Sequence, residues 1–179
     1  HDNYGKNPKK FVNRLYNMGI NKPLGLPIYG EGKPKIPHPD DKEEWDKLDL
    51  PWMAYGYGVS LTPLQTLTFY NAIANNGEMV KPRFIEKIES FGQSPDQTFG
   101  KIILNPSICS KSTVDKVKKM MSNVVDKEWG TAHNIKDKDL SLAGKTGTSQ
   151  VDYNKKDSEV QYRATFVGYF RLKSPNIHV

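Results

Sequence analysis

The residues best placed to do chemistry lie in one short run, "LSLAGKTGTSQ" (140–150). There Lys145, Thr146, Gly147 and Thr148 set an ammonium, a bare backbone position and two hydroxyls in a row. Two kinds of anion suit that set, a nucleotide phosphate and a carboxylate. A phosphate-binding loop needs a glycine five positions before its Gly-Lys pair, and that position is Asp139. It also needs a helix starting at the lysine, so that free amides and the helix dipole face the phosphates. Gly147, Thr148 and Ser149 favour extended chain instead, so the phosphate reading fails twice. As a strand, the run would turn Lys145 and Gly147 to one side and Thr146 and Thr148 to the other. A glycine between two hydroxyl residues removes a side chain where something must lie against the backbone. The set then offers a cation, two hydroxyls and main-chain amides to a carboxylate. An ammonium about 4 Å from such an anion gains roughly 4 kcal/mol at an effective dielectric near 20, before desolvation. The plain alternative is a solvated lysine beside a turn, and four residues alone do not choose.

Other chemistry-bearing residues lead nowhere. His38 and His133 both sit in polar connecting stretches, and neither is expected in a catalytic triad. Cys109 is the single cysteine, which excludes an internal disulfide. The pair Met120-Met121 is expected to fill a core. Gly56 and Gly58 lack the third glycine of a dinucleotide fingerprint and are expected to mark a tight backbone approach. No metal and no cofactor are expected. The net charge is +6, yet the basic pairs Lys9-Lys10, Lys118-Lys119 and Lys155-Lys156 are scattered and interrupted by acids. That pattern is a solvated basic surface, with no nucleic-acid partner expected. No apolar run approaches the ~18 residues of a membrane span, and no signal peptide is present. The chain opens at His1 on a polar stretch and closes on "SPNIHV", where an alternating strand would be starting. Both ends read as cut, so the expectation is a piece of a longer protein.

Several elements must position the Lys145 run. At 179 residues the chain is expected to be one domain or most of one. Phe11, Val12, Leu15 and Met18 define one face of a helix over 8–18 that Gly19 stops. Prolines 34, 37 and 39 forbid a helix in the following excursion from Gly25 to Pro51, which reads as a long irregular surface connection. Thr62, Pro63 and Gln65 make a capping box ahead of a helix with Leu64, Leu67, Tyr70, Ile73 and Ala74 as its apolar stripe, ended by "NNG" at 75–77. Arg83 to Phe91 reads as a strand, with a flexible hairpin after it. "STVDKVKKMMSNVVDKE" is an amphipathic helix with Val114, Val117, Met120, Met121, Val124 and Val125 facing inward. Leu140–Gln150 and Tyr162–Arg171 are two strands joined by an exposed, mostly polar connection. Tyr162, Ala164, Phe166 and Phe170 fall on one face of the second, with Arg163, Thr165 and Tyr169 on the other. The fold class is α/β (α+β), an antiparallel sheet flanked by helices.

With its surroundings, the lysine run resembles a known family. Lys145-Thr146-Gly147 corresponds to the third motif of penicillin-binding proteins, serine acyl-transferases whose other marks are Ser-x-x-Lys and Ser-x-Asn. "YGYGVSLTPLQTLTFYNAIANNGEMVKPRFI" resembles the helix and strand between the second and third motifs of class B transpeptidases. "EWGTAHNIKDKDLSLAGKTGTSQ" is similar to the lead-in to the third motif, and "ATFVGYF" to the neighbouring strand. The likeness holds from about residue 50 to 170 and is greatest to the division-specific, peptidoglycan-crosslinking type.

The resemblance implies part of a penicillin-binding, serine β-lactamase-like fold and a two-step acyl transfer. A serine attacks a D-alanyl-D-alanine stem peptide, and a second stem's amine resolves the acyl-enzyme into a crosslink. It implies that Lys145 serves the proton relay around that serine and the electrostatics of the substrate. Thr146 and Thr148 would hold the terminal carboxylate past Gly147, and the Thr148 amide would form half of an oxyanion hole. β-Lactam antibiotics would acylate the same serine. Cell-division or elongation membrane proteins would be partners, and the parent protein would be membrane-anchored with this part outside the cytoplasmic membrane. The 179 residues depart from the family pattern in holding no Ser-x-x-Lys. Their single Ser-x-Asn, Ser174-Pro175-Asn176, follows Lys145 where the family's copy precedes it. Nucleophile and true second motif are therefore expected upstream, and the chain alone is expected to be inactive. The alternatives are a penicillin-recognising hydrolase or sensor, and a non-catalytic module that binds division partners or glycan.

Overall fold

The computed structural model describes residues 4–92, 94–151 and 161–172. The chain divides into two compact units, His1–Ser110 and Lys111–Val179. The fold is α/β, with helices and antiparallel strand pairs.

The first unit begins with α1 (Pro8–Met18), as the spacing predicts. The Asn7 side chain accepts the Lys10 amide, Pro8 suits the first turn, and Gly19 at φ 87° closes the helix with its N–H on the Tyr16 carbonyl. Val12 is fully buried and shares a core with Ile36 and Met53, onto which Phe11, Leu15 and Tyr16 pack.

Ile36 belongs to the proline-rich excursion, which is irregular as expected but does more than cross the surface. The Tyr16 hydroxyl donates to the Ile36 carbonyl at 2.9 Å, and Lys35 and Ser60 exchange two main-chain hydrogen bonds of 2.8 Å. The Glu31 carboxylate accepts the amides of both Leu24 and Leu26. His38 accepts the Asp40 amide at Nδ1, leaving Nε2 to donate to Asn13 Oδ1 at 3.0 Å. Nε2 thus ties the loop to α1, while Nδ1 fastens the loop to itself. The excursion ends in a short helix the sequence reading missed, α2 (Asp49–Ala54). Pro51, where the irregular excursion was expected to end, stands in the first turn of this helix, where no intrahelical amide is required.

In α3 (Pro63–Ala74) the capping box forms as predicted: Gln65 donates its amide to the Thr62 hydroxyl, and the Gln65 side chain accepts the Thr62 amide at 2.8 Å. The buried side differs from the expected stripe. Gln65, Thr68, Ala72 and Ile73 are buried, whereas Leu67 is 50% exposed. Apolar residues occupy most of this helix's circumference, so periodicity chose the face poorly. Two polar residues go inward because they are satisfied there, Gln65 by Thr62 and the Lys22 carbonyl, Thr68 by the Leu64 carbonyl.

Asn76 and Gly77, both at positive φ, turn the chain into β1 (Met79–Val80). This strand pairs antiparallel with β4 (Ile103–Asn105), and β2 (Lys87–Glu89) pairs antiparallel with β3 (Pro95–Thr98). The strand expected over Arg83–Phe91 therefore shrinks to three residues, and its partner occupies "PDQT", within the stretch where a flexible hairpin was foreseen. Gly56 and Gly58 adopt φ of 87° and 70°, and nothing lies within 4 Å of where a Gly56 Cβ would stand. Left-handed backbone, not close approach, is what requires glycine at position 56.

The second unit opens with α4 (Lys111–Asp126), which buries Val114, Met121 and Val125. Met120 points outward at 59% exposure, against expectation, because its angular position falls outside the stripe those three residues share. A short 3-10 turn (His133–Ile135) leads to β5 (Leu140–Val151), which pairs antiparallel with β6 (Gln161–Leu172) in unbroken register. Both strands fall within one residue of their predicted bounds at either end. Residues 152–160 of the connection, and Ser174, Pro175 and Asn176, lie outside the described residues. Gly144 and Gly168 face each other across the ladder. A Cβ at Gly144 would stand 2.3 Å from the Phe166 ring, and one at Gly168 2.4 Å from the Ala143 carbonyl oxygen. Among the described residues, no helix is long and apolar enough to cross a membrane, and no cluster of His, Cys, Asp and Glu could hold a metal.

Candidate functional site

Lys145 to Thr148 lie inside β5, in extended chain, with no helix start near the lysine. That excludes the phosphate-loop geometry a second time. Register fixes the faces: Lys145 stands opposite Val167, Thr146 opposite Phe166, Gly147 opposite Thr165 and Thr148 opposite Ala164. Directly opposed residues share a face, so the ammonium sits with Val167 and Thr165, and both threonine hydroxyls sit with Phe166 and Ala164. Groups on opposite faces can meet one ligand only along the strand's edge. The lysine is exposed and already bends toward the main chain, its Nζ donating to the Thr146 carbonyl at 2.6 Å.

Gly147 leaves room as expected, but its own hairpin fills it. The Thr165 Oγ1 lies 2.6 Å from where a Gly147 Cβ would be and donates to the Gly147 carbonyl at 3.3 Å. Tyr169 lies on the same face as Lys145. Burial pushes its phenol above the ordinary value, so it stays protonated and puts no anion on the lysine's side of the sheet.

The two threonines differ. Thr148 is exposed, whereas Thr146 is half-buried and its Oγ1 stands 2.8 Å from the Thr131 Oγ1. Thr131 comes from the turn after α4, and sequence reasoning assigned it nothing. It lay in plain view in "EWGTAHN", but no pattern there says which hydroxyl the turn will deliver to the strand. His133, two residues on, is a fastener: its Nδ1–H donates to the Val125 carbonyl at 3.0 Å. The four residues of the run are thus together on one strand, and Thr131 joins them through space.

The geometry has relatives. A sequence profile of the penicillin binding protein transpeptidase domain matches residues 6–179. Penicillin-binding protein 3 of Bacillus subtilis is 32% identical over 129 residues, 69% of this chain and 18% of the relative. The probable peptidoglycan D,D-transpeptidase FtsI of Caulobacter vibrioides is 28% identical over 156 residues, 84% of this chain and 24% of the relative. Among solved structures, penicillin binding protein 3 of Mycobacterium tuberculosis complexed with aztreonam superposes at a TM-score of 0.72 with 27% identity, covering 90% of this chain and 36% of that one. The chain therefore spans about a fifth to a quarter of the length of these two curated relatives. The matched length and the shared fold place this chain in the penicillin-binding protein transpeptidase family.

Proposed function

We propose that the chain supplies the substrate-binding wall of a peptidoglycan D,D-transpeptidase that crosslinks cell-wall stem peptides and reacts with β-lactams. The observation that carries this reading is the placement of Lys145, Thr146 and Thr148 on one extended strand, with an exposed ammonium and hydroxyls one and three positions after it. A stem peptide ending in D-alanyl-D-alanine, laid along the edge of β5, would meet the ammonium from one face and the hydroxyls from the other. Lys145 then stabilises the terminal carboxylate and assists the proton relay at the serine. The hydroxyls of Thr146 and Thr148 donate to that carboxylate. The Thr148 amide provides one oxyanion-hole donor, a contact that lowers the barrier by about 3 kcal/mol in comparable acyl-transfer sites.

In the first step the serine oxygen bonds to the penultimate D-alanine's carbonyl carbon, the peptide bond breaks, and terminal D-alanine leaves with the serine's proton on its amine. In the second, another stem's amine bonds to that carbonyl carbon, the bond to the serine oxygen breaks, and the amine's proton returns to the serine as the crosslink forms. No Ser-x-x-Lys occurs in the 179 residues, so on this reading the nucleophile comes from a longer protein, held outside the cytoplasmic membrane among cell-division or elongation proteins.

A fluorescent penicillin tests it. In the longer protein, Lys145→Ala should slow covalent labelling by about a hundred-fold. The 179-residue polypeptide alone should form no stable adduct. Unchanged labelling of the Lys145→Ala protein would remove the lysine from the mechanism, and a stable adduct on the short polypeptide would misplace the nucleophile.

A further inference from the structure

The contact between Thr131 and Thr146 carries a consequence for how the carboxylate is held. A hydroxyl has one hydrogen and two lone pairs, so in a pair only 2.8 Å apart one oxygen donates and the other accepts. Should Thr146 donate to Thr131, it would have no hydrogen left for a carboxylate. Should Thr131 donate, the Thr146 hydrogen stays available and its oxygen is polarised by the bond it accepts, which strengthens the bond it gives to an anion.

Thr131 is held where it can do this. Gly130 has no room for a side chain, since a Cβ there would stand 2.3 Å from the Val124 carbonyl oxygen. The Gly130 amide donates to the Lys127 carbonyl at 2.8 Å, and the Ala132 amide to the Val124 carbonyl at 3.0 Å. Ala132 is buried, His133 Nδ1 reaches the Val125 carbonyl at 3.0 Å, and Lys136 Nζ reaches the Asp126 carbonyl at 3.1 Å. The turn thereby closes off the carbonyls that the end of α4 leaves unpaired. A segment pinned on both sides of residue 131 presents its hydroxyl to β5 at a fixed place.

We propose that Thr131 is a positioning residue: its hydroxyl donates to Thr146 Oγ1 and aims the Thr146 hydrogen at the carboxylate of the substrate. This rests on the acyl-transfer reading above, and the experiment separates the two. In the longer protein, acylation by benzylpenicillin is compared with acylation by its methyl ester, which keeps the reacting ring and loses the carboxylate charge. Thr131→Val, nearly the same shape without the hydroxyl, should cut the acid-over-ester rate ratio by about ten-fold, through weaker binding of the acid with the saturated acylation rate little changed. Thr131→Ser should restore the ratio to within about two-fold of the unmutated protein. Thr131→Ala reads the same ratio should the valine variant misfold. A ratio that does not move in the variants lacking the hydroxyl overturns the proposal, whether the two rates fall together or stay put. An unmutated protein that neither compound acylates takes down the acyl-transfer reading and this proposal with it.

Discussion

The two units differ in what holds each one's own structure. In the second, a helix and a twelve-residue hairpin carry the structure, and the ladder from Leu140↔Leu172 to Val151↔Gln161 is unbroken. In the first, strands of two to four residues pair in separate two-stranded sheets, each with a shift of register. What regular pairing does not supply there comes from side chains bonding distant backbone: Tyr16 to Ile36, Glu31 to Leu24 and Leu26, Asn105 to Asn17. A ladder tolerates loss of one side-chain contact but not intrusion between strands. A stitched loop does the opposite, tolerating bulk and failing when one polar group goes.

That difference can be broken at its strongest point by Gly168→Ala. The new methyl would meet the Ala143 carbonyl oxygen, which is backbone and cannot rotate away. We expect a loss of about 3 kcal/mol in the second unit, read by denaturant unfolding. A cost under about 0.5 kcal/mol would mean that the hairpin has slack and that the contrast is misdrawn.

The converse is Glu31→Ala in the first unit. It removes the acceptor shared by two amides and leaves that of the buried Leu24 without its partner. The expected loss is about 2 kcal/mol, with faster hydrogen exchange at Leu24 and Leu26. Unchanged exchange at both amides would show that Glu31 does not hold the loop.

The smallest expected effect concerns acid. Glu78 is partly exposed, and hydrogen bonding to Lys101 holds its carboxyl below the ordinary glutamate value, with Asn75 adding to the effect. A lowered folded value means that the unfolded chain takes up the proton first. The contribution is therefore present above the unfolded value of 4.5 and fades as pH falls through the folded one. Glu78→Gln should flatten the first unit's stability profile slightly below that point, with no change at neutral pH in high salt. A profile identical to the unmutated protein's would assign the acid sensitivity elsewhere.

What the sequence decided alone was whatever depends on neighbours within a few residues. The Thr62–Gln65 capping box, the stop at Gly19, both long strands and the alternation that separates Lys145 from Thr146 and Thr148 were all legible, because caps, turns and strand periodicity are local geometry. Only the tertiary structure decided that Ile36 in a proline-rich loop would be core, that Gln65 and Thr68 would turn inward while Leu67 turned out, and that Thr131 would meet Thr146. Each of those depends on which distant group fills a space or satisfies a polar atom, and such a partner is chosen by packing, to which a run of neighbouring residues holds no key.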